Sequence, residues 1–392
     1  MRTLSLASVF AIIVPACGND QPTSGSGGSG AGGMSTGGSG GSSDGGSGGS
    51  GGAGGAGGSG GSGTGGAGGV GTGGSGGTPD GGVTYRYLCD MPRPPGAPQP
   101  PPPPTYNGTC PTLSDSGTTY INITSSGNAR RLLLAVPMNL GPTERVPVAF
   151  AWHPLGSHAS VFLERGELRT AVDQQRFIAV MPEDKGDLIF KFPSTIGDSD
   201  ARIAEEVQFF DDMYACIAQQ YAANVNRDCI ISAGVSTGAL WGDQLAARRS
   251  NMLSSFLSLS GGVGAGGIRP WPGAQRHLPA WVLWGGPGDA CLGIFSFQDL
   301  SHNLEQALTR DGHFFIECIH NCGHAIPPFP MNTGMSVFAP LWDFGFNHPF
   351  WLPAGTSPFQ QSGLPSFYPP WCGLGAGSAT PRTGTCDMPS AC

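Results

Sequence analysis

Along the second half of this chain the apolar positions switch between two periods. Thr118 to Thr124 alternates apolar and polar residues as a half-buried strand does, and Arg130 to Pro137 is a second, more apolar strand. Gly141 and Pro142 make the turn into Val146 to Trp152, a nearly continuous apolar run of the kind buried on both faces of a parallel sheet. Ser160 to Gln175 has helical composition, and Phe177 to Met181 is another buried strand. The clearest helix spans Asp200 to Ala223, with Ile203, Val207, Phe210, Tyr214 and Ile217 at three- and four-residue spacing. Further strands are expected around Ile230 and Ile231, at Leu253 to Leu259, at Ala280 to Trp284 and at His313 to Ile319. Helices are expected at Ala239 to Arg249, at Phe297 to Arg310 and between Met335 and Phe346; Gly312 suits a left-handed cap on the second. Strands alternating with helices predict an α/β fold with a doubly wound, mostly parallel sheet.

The break between the Ile230–Ile231 strand and the next helix is Gly234-Val235-Ser236-Thr237-Gly238. Strand, Gly-x-Ser-x-Gly, helix is the context of a nucleophile elbow. The turn forces the serine into a strained conformation, with glycines where a β-carbon would collide. The helix N-terminus then points its free N–H groups at an anion formed there.

Such a serine needs an acid and a histidine, which in elbow-bearing α/β enzymes follow it in the chain order serine, acid, histidine. Ser236, Asp289 and His324 fit that order, each shortly after an expected strand. Ser236 would attack an acyl carbon, His324 would take its proton, and Asp289 would fix the imidazole tautomer. Asp299 is the alternative acid but falls within a helix; His313 and His320 border a strand and read as structural. One oxyanion donor should be the N–H of Thr237. Pro154 has no N–H, so the other should come from Leu155 or Gly156, while His153 is expected to pack beneath the site. Trp152, Trp241, Trp271 and Trp284 read as packing residues before pocket walls.

Composition alters the picture mainly at the ends. The chain has 392 residues, a formal charge of −8 and only 12% charged residues. Pro22 to Gly82 is almost wholly Gly, Ser, Ala and Thr, which cannot bury apolar surface and should be a flexible coil. Without it roughly three hundred residues remain, the size of one α/β domain. Mild acidity without a basic cluster argues against a nucleic-acid partner. Arg2, the short apolar stretch Leu4 to Val14 and the tetrapeptide Val14-Pro15-Ala16-Cys17 read as an export signal ending in a sequence that resembles a bacterial lipobox, with Cys17 lipidated. Asp20 does not directly follow the cysteine, so inner-membrane retention is not expected; cleavage near Ala16 with Cys17 incidental is the alternative. The other ten cysteines, an even and dispersed set, read as disulfides of an exported chain. Their spacing offers no zinc pattern, and no metal or cofactor is expected.

The expected organisation is a lipoprotein signal over 1–17, a disordered linker over 18–82, a stiff Pro-rich spacer over 83–109, a catalytic domain over 110–349 and a Cys/Pro/Gly-rich extension over 350–392.

From about Arg130 to Pro328 the chain resembles the exported polyhydroxybutyrate depolymerase and feruloyl esterase group of α/β-hydrolases. The matching pieces are Trp152-His153-Pro154-Leu155-Gly156, Phe209-Phe210-Asp211-Asp212-Met213, Gly234 to Gly238, Gly285 to Asp289, and Gly323-His324. The resemblance implies a lidless α/β-hydrolase fold and a serine esterase acting on extracellular esters, polyhydroxyalkanoates or feruloyl and acetyl polysaccharides, with Ser236, Asp289 and His324 as its triad. Three departures leave the particular ester open: Pro154 stands for the family glycine, Gly238-Ala239 for Gly-Gly, and Asp289-Ala290 for Asp-Pro. A surface lipoprotein that keeps the fold without the chemistry, and an acyltransferase sharing the acyl-enzyme, are the competing readings.

Overall fold

Every residue from Val146 to Trp152 is buried, as a strand covered on both faces must be. The computed structural model describes residues 86–329 and 335–386; Cys17, the signal and the Gly/Ser-rich linker lie outside the described residues. The strands in chain order are β1 (Ile121–Ser125), β2 (Asn128–Ala135), β3 (Val146–Trp152), β4 (Ile178–Pro182), β5 (Val225–Val235), β6 (Ser255–Leu259), β7 (Ala280–Trp284), the short pair β8 (Ala290–Cys291) and β9 (Phe295–Ser296), β10 (Phe315–Ile319) and β11 (Cys372–Leu374). All but β8 and β9 form one nine-stranded sheet in the order β1-β2-β4-β3-β5-β6-β7-β10-β11. From β4 across to β10 the pairing is parallel; β1, β2 and β11 add antiparallel edges.

Alternation along each strand divides the core in two. Val148, Phe150 and Trp152 face one side, and Ala149 and Ala151 the other. The first face is covered by α3 (Asp200–Gln220), α4 (Thr237–Arg248) and α5 (Phe297–Asp311). The second is covered by α1 (Ala159–Arg165), α2 (Leu168–Gln175) and α6 (Ala339–Phe346). Small residues at 149 and 151 let the second layer approach closely, while Phe150 packs against Phe210 of α3 at 4.6 Å between ring centroids.

The helix expected over 160–175 is two helices. Gly166 ends α1, and Glu167 takes a left-handed φ of 49° that redirects the chain into α2. Ser199 caps α3 by accepting the Arg202 N–H, and Gly312 closes α5 with φ 79°.

One terminal segment differs from expectation. The Pro-rich stretch, over its described residues 86–109, is docked on the domain instead of standing off as a spacer. Tyr87 and Cys89 are buried in the second core face, and Cys89 is bonded to Cys229. The extended chain leaves its carbonyls unpaired, and side chains of the domain take them: Asn226 donates to the Cys89 carbonyl and Arg227 to that of Pro101. The expected Cys-rich extension, over its described residues 350–386, packs on the domain. β11 extends the sheet beside β10, Cys318–Cys372 ties the two strands, and Phe359, Tyr368 and Trp371 complete the second core face.

Disulfides also join Cys110 to Cys216 and Cys322 to Cys386, and Cys291 is bonded too. The disulfide expectation is borne out.

Candidate active site

Between β5 and α4 the backbone reverses at Ser236, which has φ 54° and ψ −122°. A non-glycine residue in this region is strained and persists only where its surroundings fix it. Here they do. A β-carbon on Gly234 would run into the Gly238 carbonyl, and one on Gly238 into the carbonyls of Trp152 and His153. The Ser236 N–H donates to the Leu259 carbonyl at 2.9 Å, tying the elbow to the end of β6.

Asp289 follows β7 through a short 3-10 turn over Gly286–Gly288, and His324 lies in the loop after β10. The structure brings both to Ser236. His324 Nδ1 lies 2.7 Å from Asp289 Oδ1, and Nε2 lies 2.8 Å from Ser236 Oγ. The carboxylate can only accept, so Nδ1 carries the proton and Nε2 accepts from the serine hydroxyl. Phe297 stacks on the imidazole with centroids 4.2 Å apart. All three polar residues are buried, Asp289 to 1% exposure, so the carboxylate depends on protein donors. Among the described residues it has two besides His324: the Gly285 N–H at 2.7 Å and the Ser260 hydroxyl at 2.8 Å, both on Oδ2.

The rival residues are placed elsewhere. Asp299 is exposed in the first turn of α5, its N–H donating to the Ser296 cap. His313 pairs through Nδ1 with the Leu278 carbonyl, and His320 Nδ1 accepts the Cys322 N–H. Burial pushes both imidazoles down to about 4, so they are neutral packing groups.

Thr237 is the first residue of α4, where a backbone N–H has no intrahelical acceptor. Leu155 and Gly156 form a turn closed by the Ser157 N–H on the Pro154 carbonyl, with Gly156 at φ 72°. Contact between Gly238 and the Trp152 and His153 carbonyls sets the start of that loop against the elbow. Glu183, just after β4, braces its far end. It accepts the Ala159 N–H at 2.9 Å and the Tyr120 hydroxyl at 2.7 Å, and pairs with His158 Nδ1 at 2.7 Å. Burial pushes the Glu183 carboxyl up, but these bonds outweigh it and hold it below the usual carboxylate range. His153 is buried against Phe192 with Nδ1 facing the Pro154 carbonyl. Trp152 and Trp241 meet edge to face at 5.9 Å inside the first core face, so they are packing residues.

His153, Glu183 and Asp184 bring possible metal-ligand atoms within 4.8 Å of one another. Lys191 already lies 3.3 Å from Asp184 and Arg131 3.7 Å from Glu183. Both carboxylates of this cluster therefore already face a protein cation.

Sequence reasoning missed Ser260, the Gly285 N–H and Phe297. Ser260 was visible only as a polar residue directly after the expected strand 253–259.

A left-handed serine between a central parallel strand and a helix, on a mostly parallel sheet covered on both faces, defines the α/β-hydrolase fold. No family model matches the chain. Over 156 residues it is 27% identical to Feruloyl esterase D of Neurospora crassa, a match covering 39% of this chain and 52% of that protein. The chain thus spans about half the length of the curated relative it matches. Among solved structures it is similar to native sOPH, with a TM-score of 0.50 and 15% identity over 70% of this chain and 98% of that one. A pOPH variant in complex with DMSO gives a TM-score of 0.50 and 14% identity over 65% and 93%. The resemblance to a feruloyl esterase is borne out by that relative, and the expected α/β-hydrolase fold by the solved structures.

Proposed function

We propose that this protein is an exported serine esterase that hydrolyses polymeric or plant-derived carboxylic esters through an acyl-enzyme on Ser236. The observation that carries this reading is the unbroken hydrogen-bond chain from the elbow hydroxyl of Ser236 through His324 to the buried Asp289. In the first half-reaction Ser236 Oγ bonds to the acyl carbon while its proton passes to His324 Nε2. Asp289 holds the Nδ1–H and stabilises the imidazolium. The carbonyl oxygen becomes an anion facing the N–H of Thr237 and that of Leu155 or Gly156, donors worth about 3 kcal/mol each in such sites. Collapse breaks the bond to the alcohol, which leaves with the proton from His324. Water then repeats the sequence on the acyl-enzyme and releases the acid.

The likeness to a feruloyl esterase supports carboxylic esters as the substrate class. The disulfides support an exported enzyme, and Val14 to Cys17 supports a lipid anchor at the cell surface.

A fluorophosphonate probe tests the reading directly. Labelling of one site, lost in Ser236→Ala, is the expected result, with turnover of at least one member of an ester panel. No labelling of the folded protein would sink the esterase and favour a binding lipoprotein.

A further inference from the structure

Ser260 stands at the end of β6 in a left-handed conformation with φ 48°, almost wholly buried. Its hydroxyl donates to Asp289 Oδ2 at 2.8 Å, and its N–H donates to the Leu283 carbonyl near the end of β7 at 2.6 Å. The preceding carbonyl, that of Leu259, holds the Ser236 N–H. Two successive residues therefore touch the proposed nucleophile on one side and the proposed acid on the other.

We infer that Ser260 is a positioning residue for the acid, fixing the Asp289 carboxylate in the orientation that receives His324. The inference rests on the esterase reading above. A carboxylate turns freely about its last bond unless donors hold both oxygens. Asp289 is shielded from water, so solvent cannot replace a lost donor. Oδ1 belongs to His324, and Oδ2 is held by the Gly285 N–H and the Ser260 hydroxyl. The hydroxyl is a second donor on Oδ2 beside the backbone N–H, and it narrows the range of orientations the carboxylate can take toward His324. An extended backbone would carry the side chain on along the strand, and the left-handed turn aims it at Asp289.

That turn is itself held from below. Asp243 of α4, the helix that begins beside Ser236, is fully buried and accepts the Ser258 hydroxyl at 3.0 Å and the Gly262 N–H at 2.8 Å on one oxygen. A β-carbon on Gly262 would collide with the Leu300 carbonyl of α5. The residues on both sides of Ser260 are thus bolted to the two helices that flank the site.

The test is a double-mutant cycle on the full-length protein with p-nitrophenyl acetate. Ser260→Ala should lower kcat about 10- to 100-fold with KM little changed, the size expected for a hydrogen bond to a charged group. In an Asp289→Asn background the same change should cost less than about twofold, because its effect passes through the carboxylate. Ser260→Gly separates the hydroxyl from the backbone: glycine accepts the left-handed turn without strain, so it should fold at least as well as Ala and be equally slow. The inference is overturned if Ser260→Ala keeps wild-type kcat, if its loss is the same with Asn at 289, or if Ser260→Gly restores the rate. If the wild type shows no fluorophosphonate labelling at Ser236, the esterase reading falls and takes this one with it. Wild-type labelling with an unaffected Ser260→Ala removes the inference alone.

Discussion

Gly285 lies against the backbone carbonyl of Gly323 with no room for a β-carbon between them. The loop that delivers Asp289 and the loop that delivers His324 therefore interlock backbone to backbone. Gly285→Ala should force them apart, destabilising the fold by about 1 to 3 kcal/mol as overpacking does, and lowering kcat more than tenfold. Gly288→Ala is the control, since its β-carbon would meet Gly323 Cα at an ordinary 3.8 Å. Equal melting temperatures and rates for the two variants would show that the contact is not rigid.

Ser236 and His324 should behave as one unit. Ser236→Ala or His324→Ala alone should each cost on the order of a millionfold in kcat, and the double substitution little more. Asp289→Asn should cost less, on the order of ten-thousandfold, through the wrong imidazole tautomer. Single-turnover kinetics on an activated ester measures all four. Near-full activity in Asp289→Asn would place the acid elsewhere.

Buried carboxyls set the direction of a pH effect on stability. Burial pushes Asp243 up to about 8, and burial together with the nearby Glu317 pushes Glu305 up to about 8. A raised folded pKa contributes stability that is full below the unfolded value and is lost as pH rises through the folded one. The buried His313, His320 and His348, pushed down to about 4, act in the opposite sense, losing stability as pH falls below about 6.5. Between pH 6.5 and 8 the histidines are silent, so unfolding free energy from urea titrations should decline by about 1 kcal/mol per pH unit for each such carboxyl. Glu305→Gln should flatten the slope; a slope unchanged in that variant would rule Glu305 out as its source.

The disulfide Cys318–Cys372 joins β10 to the edge strand β11. Cys318→Ala with Cys372→Ala should cost about 2 to 5 kcal/mol, seen as a lower melting temperature. Mass spectrometry of the unreduced mature domain should find at most one or two alkylatable thiols. Most thiols free would contradict the bonded set.

Cys17→Ala should move the protein from the membrane fraction to the medium. A variant that stays in membranes with unchanged mobility would rule out a lipid on Cys17.

The elbow was legible because its physics is local. A β-branched strand, two glycines around a serine and a helix lie within about twenty residues, and sterics alone dictate that turn. Asp289 and His324 were legible because loops after parallel strands open on the same edge of the sheet. Distant contacts decided the rest. Composition assigns an extended form to the Pro-rich stretch, but burial of Tyr87, the bond from Cys89 to Cys229 and the capping of its carbonyls by Asn226 and Arg227 decide that it lies on the domain. Ten cysteines imply bridges without choosing partners; only the register of β11 on β10 sets Cys372 opposite Cys318. Ser260 is one serine among many along the chain. What singles it out is a left-handed turn fixed by Leu283 and a hydroxyl 2.8 Å from a carboxylate 29 residues away, a relation that exists only once β6 and β7 lie side by side.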